Sequence, residues 1–310
     1  MEKPAGMGLH GSPGSGMEPA SRRPCIRKEA HFVPRSCAMQ TSKNDIRFGD
    51  AVAACYQKHL VPLIFAPYAV DLAARLARVP AASVLELAAG TGVLTRELAA
   101  HLAPGTRLVA TDLNESMLGV AQARETGRTV DWRQADAMAL PFADASFDAV
   151  VCQFGVMFFP DKGRAFAEMR SVLRPGGALW FSVWDRIEAN EFAQVVSTAV
   201  AALFPDDPPR FLERLPHGYG STQMIARDLA LGGFVGPPVF ETVTAVSRAD
   251  TPGNAALAYC QGTPLRGEIE ARDPAALEAA TAAAAEAIAA RFGPGPVEGR
   301  IQAVVVGVAG

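Results

Sequence analysis

The stretch Val84-Leu85-Glu86-Leu87-Ala88-Ala89-Gly90-Thr91-Gly92 leaves a chain few ways to fold. Three apolar residues interleave with one acid, and the side chains then shrink almost to nothing. Beyond Gly92 the period changes: Val93, Leu94, Leu98 and Leu102 share one helical face, with Arg96, Glu97 and His101 elsewhere. That switch reads as a buried strand, a glycine turn and a helix. A turn nearly free of side chains lets a ligand approach the backbone, and a helix start offers unpaired N–H groups. A small molecule with polar ends is expected over Gly90 and Gly92, at the carboxyl end of the strand. The same residues also suit a plain strand-to-helix joint whose small side chains serve packing alone.

Arg107 to Thr111 reads as a second strand, ending on Asp112, 22 residues beyond Gly90. Asn114 can cap the following helix, which carries Met117, Leu118 and Ala121 and stops near Gly127. A carboxylate at the tip of a second strand can accept from both hydroxyls of a ribose, or can merely cap a turn. Thr129 to Gln134 is a third strand, with Asp136 just after it. An acid there can accept from an exocyclic amine while Met138 and Leu140 offer apolar contact; a solvated loop residue is the other reading. Phe147 to Gln153 is nearly all apolar, as a strand covered on both faces would be. A helix from Asp161 carries Phe166, Met169, Val172 and Leu173 inward, Arg174-Pro175-Gly176-Gly177 stops it, and Ala178 to Trp184 is a fifth strand. Such alternation implies parallel strands, right-handed crossovers and helices on both faces.

The flanks are less regular. Residues 1–44 are rich in Gly, Pro, Ser and Arg and lack both a sustained period and the apolar centre of a secretory signal, so a disordered extension is expected. Ordered patterning begins soon after Met39, which makes that residue a candidate start; upstream peptides in mass spectra of the native N-terminus would exclude it. Asp45 to Val79 reads as a helix in two pieces, broken at Pro62 and Pro67, packing beside the first strand or over a pocket as a lid, with Tyr56 and His59 on one face. Helices are expected within 186–235 and 251–295, as an insertion able to cover a pocket, with strands at Val239 to Arg248 and Ile301 to Val308.

With 49% hydrophobic and 20% charged residues the chain can build a core, and a net charge of −3 does not point to nucleic acid. No uninterrupted apolar run reaches membrane-spanning length, so no transmembrane helix is expected. The 5 cysteines form no CxxC pair, and the 5 histidines show no metal-ligand spacing. Free thiols in a reducing compartment, and hence a cytoplasmic location, are expected.

Taken together, Glu86 to Gly92, Asp112, Ala135-Asp136-Ala137 and Leu173-Arg174-Pro175-Gly176-Gly177 resemble the ordered motifs of class I S-adenosylmethionine-dependent methyltransferases. The nearest branch is the small-molecule group that includes the ubiquinone and menaquinone biosynthesis C-methyltransferases. The resemblance is strong over roughly residues 45 to 185. It implies a doubly wound, Rossmann-like α/β fold: a seven-stranded sheet, mostly parallel, with an antiparallel last strand and a helical lid insertion. One methyltransferase domain over 45–310, with its core at 80–185, follows from it. The resemblance also implies S-adenosylmethionine as cofactor, a small-molecule methyl acceptor, and no metal. Glu86, Ala88 and Gly90 would then line the methionine end, with Gly92 also at the cofactor, Asp112 would hold the ribose, Leu113 and Met117 would lie beside the adenine, Asp136 and Ala137 would read its amine, and Gln153 would sit near the methyl donor. Ala88 departs from the glycine often found there, so its backbone is expected to avoid positive φ. His59, Tyr56, His217 and Tyr219 are candidate bases by chemistry alone, each equally suited to packing. The apolar run Phe154 to Phe159 hints at an apolar or aromatic acceptor, or at a core beneath a lid. A nicotinamide-dependent oxidoreductase would share glycines and acid, but Thr95 holds its third glycine position, and no Tyr is followed four residues later by Lys. A protein that binds S-adenosylmethionine without methyl transfer stays open.

Overall fold

The computed structural model describes residues 50–310. Its strands in chain order are β1 (Ser83–Leu87), β2 (Arg107–Asp112), β3 (Asp131–Gln134), β4 (Phe147–Gln153), β5 (Leu173–Trp184), β6 (Val239–Ala249) and β7 (Val297–Ala309). All five residues of β1 are buried, so it needs neighbours on both edges and cover on both faces. It has them in one seven-stranded sheet of order β3-β2-β1-β4-β5-β7-β6. The pairs among β1 to β5 are parallel, and β7 runs antiparallel to both β5 and β6. This is the mixed, doubly wound sheet that the alternating pattern and the resemblance imply.

Alternation within β1 divides the core. Val84 faces a layer with Leu72, Leu76, Leu94 and Leu98, whereas Leu85 and Leu87 face the layer of Val150, Phe166, Met169 and Phe181. Burying each such aliphatic side chain contributes about 1.5–3 kcal/mol. The first layer comes from α2 (Ala66–Leu76) and α3 (Val93–His101). After β2 comes α4 (Glu115–Gln122), capped by the Asn114 side chain, which accepts from Met117 N. It ends earlier than expected; a turn held by Thr126 Oγ1 donating to Arg128 O carries the chain on. The edge strand β3 starts at Asp131 rather than Thr129. α5 (Lys162–Val172) is capped by Asp161. β5 begins at Leu173, before the Arg-Pro-Gly-Gly run expected to precede it, because that run enters the sheet through an irregular register beside β4.

One expectation for the N-terminal segment needs correction. α1 (Asp50–Cys55), a π-helical stretch Tyr56–Phe65 and α2 form one unbroken helix through Pro62. Proline lacks an N–H and clashes with the carbonyl four residues back. Winding with i→i+5 bonds removes that conflict. Ala51–Leu76 is also the one helix, among the described residues, long and apolar enough to cross a membrane. Gln57, Lys58 and His59 interrupt its apolar run, which is why the sequence conceals it. In this fold its Ala69, Leu72, Ala73 and Leu76 are buried against α3, β4 and β5. The disordered-extension and Met39 readings lie outside the described residues.

The remaining helices lie between β5 and β6 and between β6 and β7. The first group is α6 (Glu191–Ala202), α7 (Phe211–Arg214) and α8 (Thr222–Leu231). The second is α9 (Pro252–Gln261), α10 (Leu265–Arg272) and α11 (Leu277–Phe292). α9 packs on the π-helical stretch, and α11 packs on α6 and α9.

The turn after β1 carries strain. Ala88 adopts φ 52°, contrary to the expectation, with Gly90 at 56° and Gly92 at 76°. Ala89 N donates to Thr111 O at 2.9 Å and Gly90 N to Asp112 Oδ2 at 2.8 Å, and these bonds fix the turn whatever residue stands at 88. A left-handed alanine costs about 1–2 kcal/mol. Phe154 shows the same conformation at φ 54°, across from Ala88. Between them Gly155 leaves no room: a Cβ there would lie 2.5 Å from the Ala88 methyl and 2.7 Å from Cys152 Sγ. Beneath the turn, Glu86 is 1% exposed, and its Oε2 has no hydrogen-bond partner among the described residues. Burial pushes its carboxyl up to about 8.

Ala88→Gly should therefore raise the unfolding free energy by about 1 kcal/mol, read from the urea midpoint at constant slope. Gly155→Ala should lower it. Folded Glu86 keeps its proton up to about pH 8, whereas the unfolded group loses it near 4.5. Stability accordingly falls as pH rises between those values. Burial lowers His217 to about 4, with the opposite effect below 6.5, and lowers Lys162 to about 8, with its effect above that value. From pH 6.5 to 8 stability should drop by up to about 1.4 kcal/mol per pH unit. Glu86→Gln should flatten that slope in urea titrations at several pH values.

Candidate functional site

At the carboxyl ends of β1, β2, β4 and β5 lies a cavity of about 320 Å³. One end is built by successive strand-to-helix connections, as open α/β sheets provide. Leu87, Ala88 and Gly90 come from the first, Asp112, Leu113, Asn114 and Met117 from the second, Asp136, Ala137 and Met138 from the third, and Gln153, Phe154 and Gly155 from the fourth. Eight residues expected at a cofactor therefore share one cavity: Ala88, Gly90, Asp112, Leu113, Met117, Asp136, Ala137 and Gln153.

Two others do not reach it. Glu86 lies beneath the turn, because the pleat that points Leu87 one way points Glu86 the other. Gly92 starts α3, and a Cβ there would lie 3.1 Å from both Ala121 and the Trp132 ring. Its lack of a side chain serves close packing of α4 and β3.

Asp112 holds the site together. Its Oδ2 accepts from Gly90 N and its Oδ1 from Asn114 N, both at 2.8 Å. Burial raises its carboxyl while these N–H groups oppose the shift. The Leu113 N–H also donates to this carboxylate, which leaves part of its lone-pair capacity for a ligand donor. Asp136 Oδ1 accepts from Met138 N at 2.8 Å, which turns the third connection inward. Gln153 Nε2 donates to Phe65 O at 3.1 Å; a carbonyl only accepts, so the amide orientation is fixed. That leaves Gln153 Oε1 buried with no partner among the described residues.

The other end is aromatic and apolar. The Phe154 ring stacks on Trp184 at 3.9 Å, and Tyr68 meets both rings edge-on at 5.3 Å. Leu60, Ile64 and Phe65 of the π-helical stretch, Met157 and Phe158 after β4, and Phe211 and Leu212 of α7 enclose the rest. Among the described residues, no charged side chain other than Asp112 and Asp136 lines the cavity.

Of the four candidate bases, Tyr56 and His217 line the cavity and His59 and Tyr219 do not. Tyr56 and His59 were expected on one face, but π-helical winding changes the angular spacing and parts them. Tyr219 is spent on structure: its hydroxyl donates to Asp228 Oδ2 at 2.9 Å and its ring lies 4.7 Å below Lys162 Nζ. His217 Nδ1 lies 2.8 Å from Asp185 O. That carbonyl can only accept, so Nδ1 carries the proton and Nε2 the lone pair. With the imidazole held down to about 4 by burial, it is neutral at ordinary pH. Among the described residues no group of three or more His, Cys, Asp or Glu could hold a metal ion.

Sequence reasoning missed Trp184 and Tyr259, which also line the cavity. Trp184 ends β5, the same position on its strand that drew attention to Asp112, and could have been found that way. Tyr259 sits in an alanine-rich helix, and nothing in its spacing marks it.

Residues 85–181 match the family described as a methyltransferase domain. The chain is 44% identical over 102 residues to the ubiquinone/menaquinone biosynthesis C-methyltransferase UbiE of Hahella chejuensis, covering 32% of this chain and 41% of that protein. Against the protein of the same name from Bordetella avium it is 42% identical over 110 residues, 35% of this chain and 43% of the other. It thus spans about two fifths of the length of the curated relatives it matches. A Bacillus halodurans structure described as a candidate methyltransferase superposes with a TM-score of 0.50 at 18% identity, over 77% of this chain and 97% of that one. The YcgJ protein of Bacillus subtilis gives 0.50 at 17%, over 78% and 98%. These two likenesses bear on fold alone. Over residues 85–181 the chain matches a methyltransferase domain and resembles the class I S-adenosylmethionine-dependent methyltransferases, the ubiquinone/menaquinone biosynthesis C-methyltransferases among them.

Proposed function

We propose that this protein transfers a methyl group from S-adenosylmethionine to a small apolar or aromatic acceptor. One observation carries the reading: a single cavity has two carboxylates, Asp112 and Asp136, at one end and, among the described residues, no charged side chain at the other. The residues present suit the cofactor. Asp112 would accept from the ribose and Asp136 from the adenine amine, with Leu113, Met117 and Ala137 against the base. Ala88 and Gly90 leave backbone open to the methionine part.

The cofactor supplies a methyl group already activated on a positive sulfur. The chain's own work is alignment and exclusion of water. Stacked Phe154 and Trp184 make a rigid wall beside the turn, and the α7 and α9 side chains close the chamber over it. An apolar acceptor gains by leaving water there; a charged one loses its hydration with nothing to replace it. The free thiols of Cys55, Cys152 and Cys260 suit a reducing, cytoplasmic setting.

Calorimetry should show S-adenosylhomocysteine binding and no NAD binding. Asp112→Ala should weaken the former by about 1–3 kcal/mol through a lost charge-assisted bond. Unchanged affinity would refute the ribose assignment. Transfer of labelled methyl to phenols, quinols or amines separates an enzyme from a mere binder, which would label none of them.

A further inference from the structure

The acceptor end of the cavity is not wholly apolar: beside the hydrogen-bonded Asn190 and Thr263 it presents two uncharged polar atoms without a partner among the described residues. Tyr259, on α9, is 3% exposed. Its hydroxyl has no hydrogen-bond partner among the described residues, although buried hydroxyls ordinarily find one. The neighbouring tyrosines do so, Tyr68 donating to Val243 O at 3.3 Å and Tyr219 to Asp228. The Tyr259 hydroxyl is also not among the unpartnered atoms sealed from solvent, and Tyr259 lines the cavity. The second atom is His217 Nε2. With Nδ1–H committed to Asp185 O, Nε2 is an acceptor without a partner among the described residues, and it too is not sealed from the cavity.

We infer that Tyr259 and His217 bind the oxygenated edge of the methyl acceptor, the tyrosine hydroxyl donating and His217 Nε2 accepting, and so select an uncharged, hydroxyl-bearing apolar molecule. The inference rests on the methyltransferase reading and deepens it. A hydroxyl both gives and takes a hydrogen bond, and so matches this pair. An ammonium would need a carboxylate, and a carboxylate would need a cation; neither lines this end among the described residues. His217 binds rather than deprotonates. An imidazole held at about 4 is a poor base for a phenol near 10. Both residues lie outside 85–181, in the part of the chain that the family model does not match.

The full chain, saturated with S-adenosylhomocysteine, can be titrated calorimetrically with 4-propylphenol, propylbenzene and 4-propylbenzylamine. The phenol should bind about 3- to 10-fold more tightly than propylbenzene, the margin of one or two net hydrogen bonds. The amine, charged at neutral pH, should bind most weakly. Tyr259→Phe and His217→Phe should each shrink the phenol's advantage and leave propylbenzene binding within about twofold; S-adenosylhomocysteine binding reports that each variant is folded. Equal binding of phenol and propylbenzene, an advantage that survives in both variants, or tightest binding of the amine overturns the inference alone. Failure of the unaltered chain to bind S-adenosylhomocysteine overturns the reading beneath it.

Discussion

The hydrogen bond from Gly90 N to Asp112 Oδ2 ties the turn after β1 to the tip of β2, and the cavity depends on it. With Ala89 N held by Thr111 O, it fixes a backbone path that forces Ala88 into a left-handed conformation. That path sets the Ala88 methyl against Gly155, where no side chain fits. One carboxylate thus shapes the floor of the site and keeps lone pairs for a ligand. Strain is held in place because neighbouring bonds determine the chain more strongly than alanine's preference does.

Much of this was legible in the residues. The change of period at Gly92 places β1 and α3, and four strand-to-helix connections in sequence order bring Asp112, Asp136 and Gln153 to one cavity. The exceptions have physical causes. Gly92 looks like a ligand contact, yet its missing side chain makes room for Trp132 and Ala121. Glu86 shares the motif with Ala88 and Gly90 but points to the opposite face of the pleat. Ala88 shows that composition does not report backbone dihedrals: a residue that disfavours positive φ adopts it where two strand tips dictate the path.

The aromatic end of the cavity was far less legible, because it is assembled from distant parts of the chain. Phe65, Trp184, Phe211, His217 and Tyr259 meet only through tertiary packing, and no local period links them. The cofactor end is a product of consecutive βα units and so leaves a readable motif. The two ends also differ in what holds them: backbone hydrogen bonds and carboxylates on one side, stacked rings and aliphatic contacts on the other.

The wide coil from Tyr56 to Phe65 has a consequence of its own. It turns more residues into each revolution than an ordinary helix, and its outer carbonyls are pinned from elsewhere, Leu63 O by Ser247 Oγ and Phe65 O by Gln153 Nε2. Deleting one residue there would let the coil relax toward regular α-helical winding, yet both anchors would resist any sliding of its carboxyl half. The whole adjustment would fall on the amino-terminal half and swing Tyr56 off the wall it now helps to form. Length in this stretch is thus under tighter geometric control than residue identity.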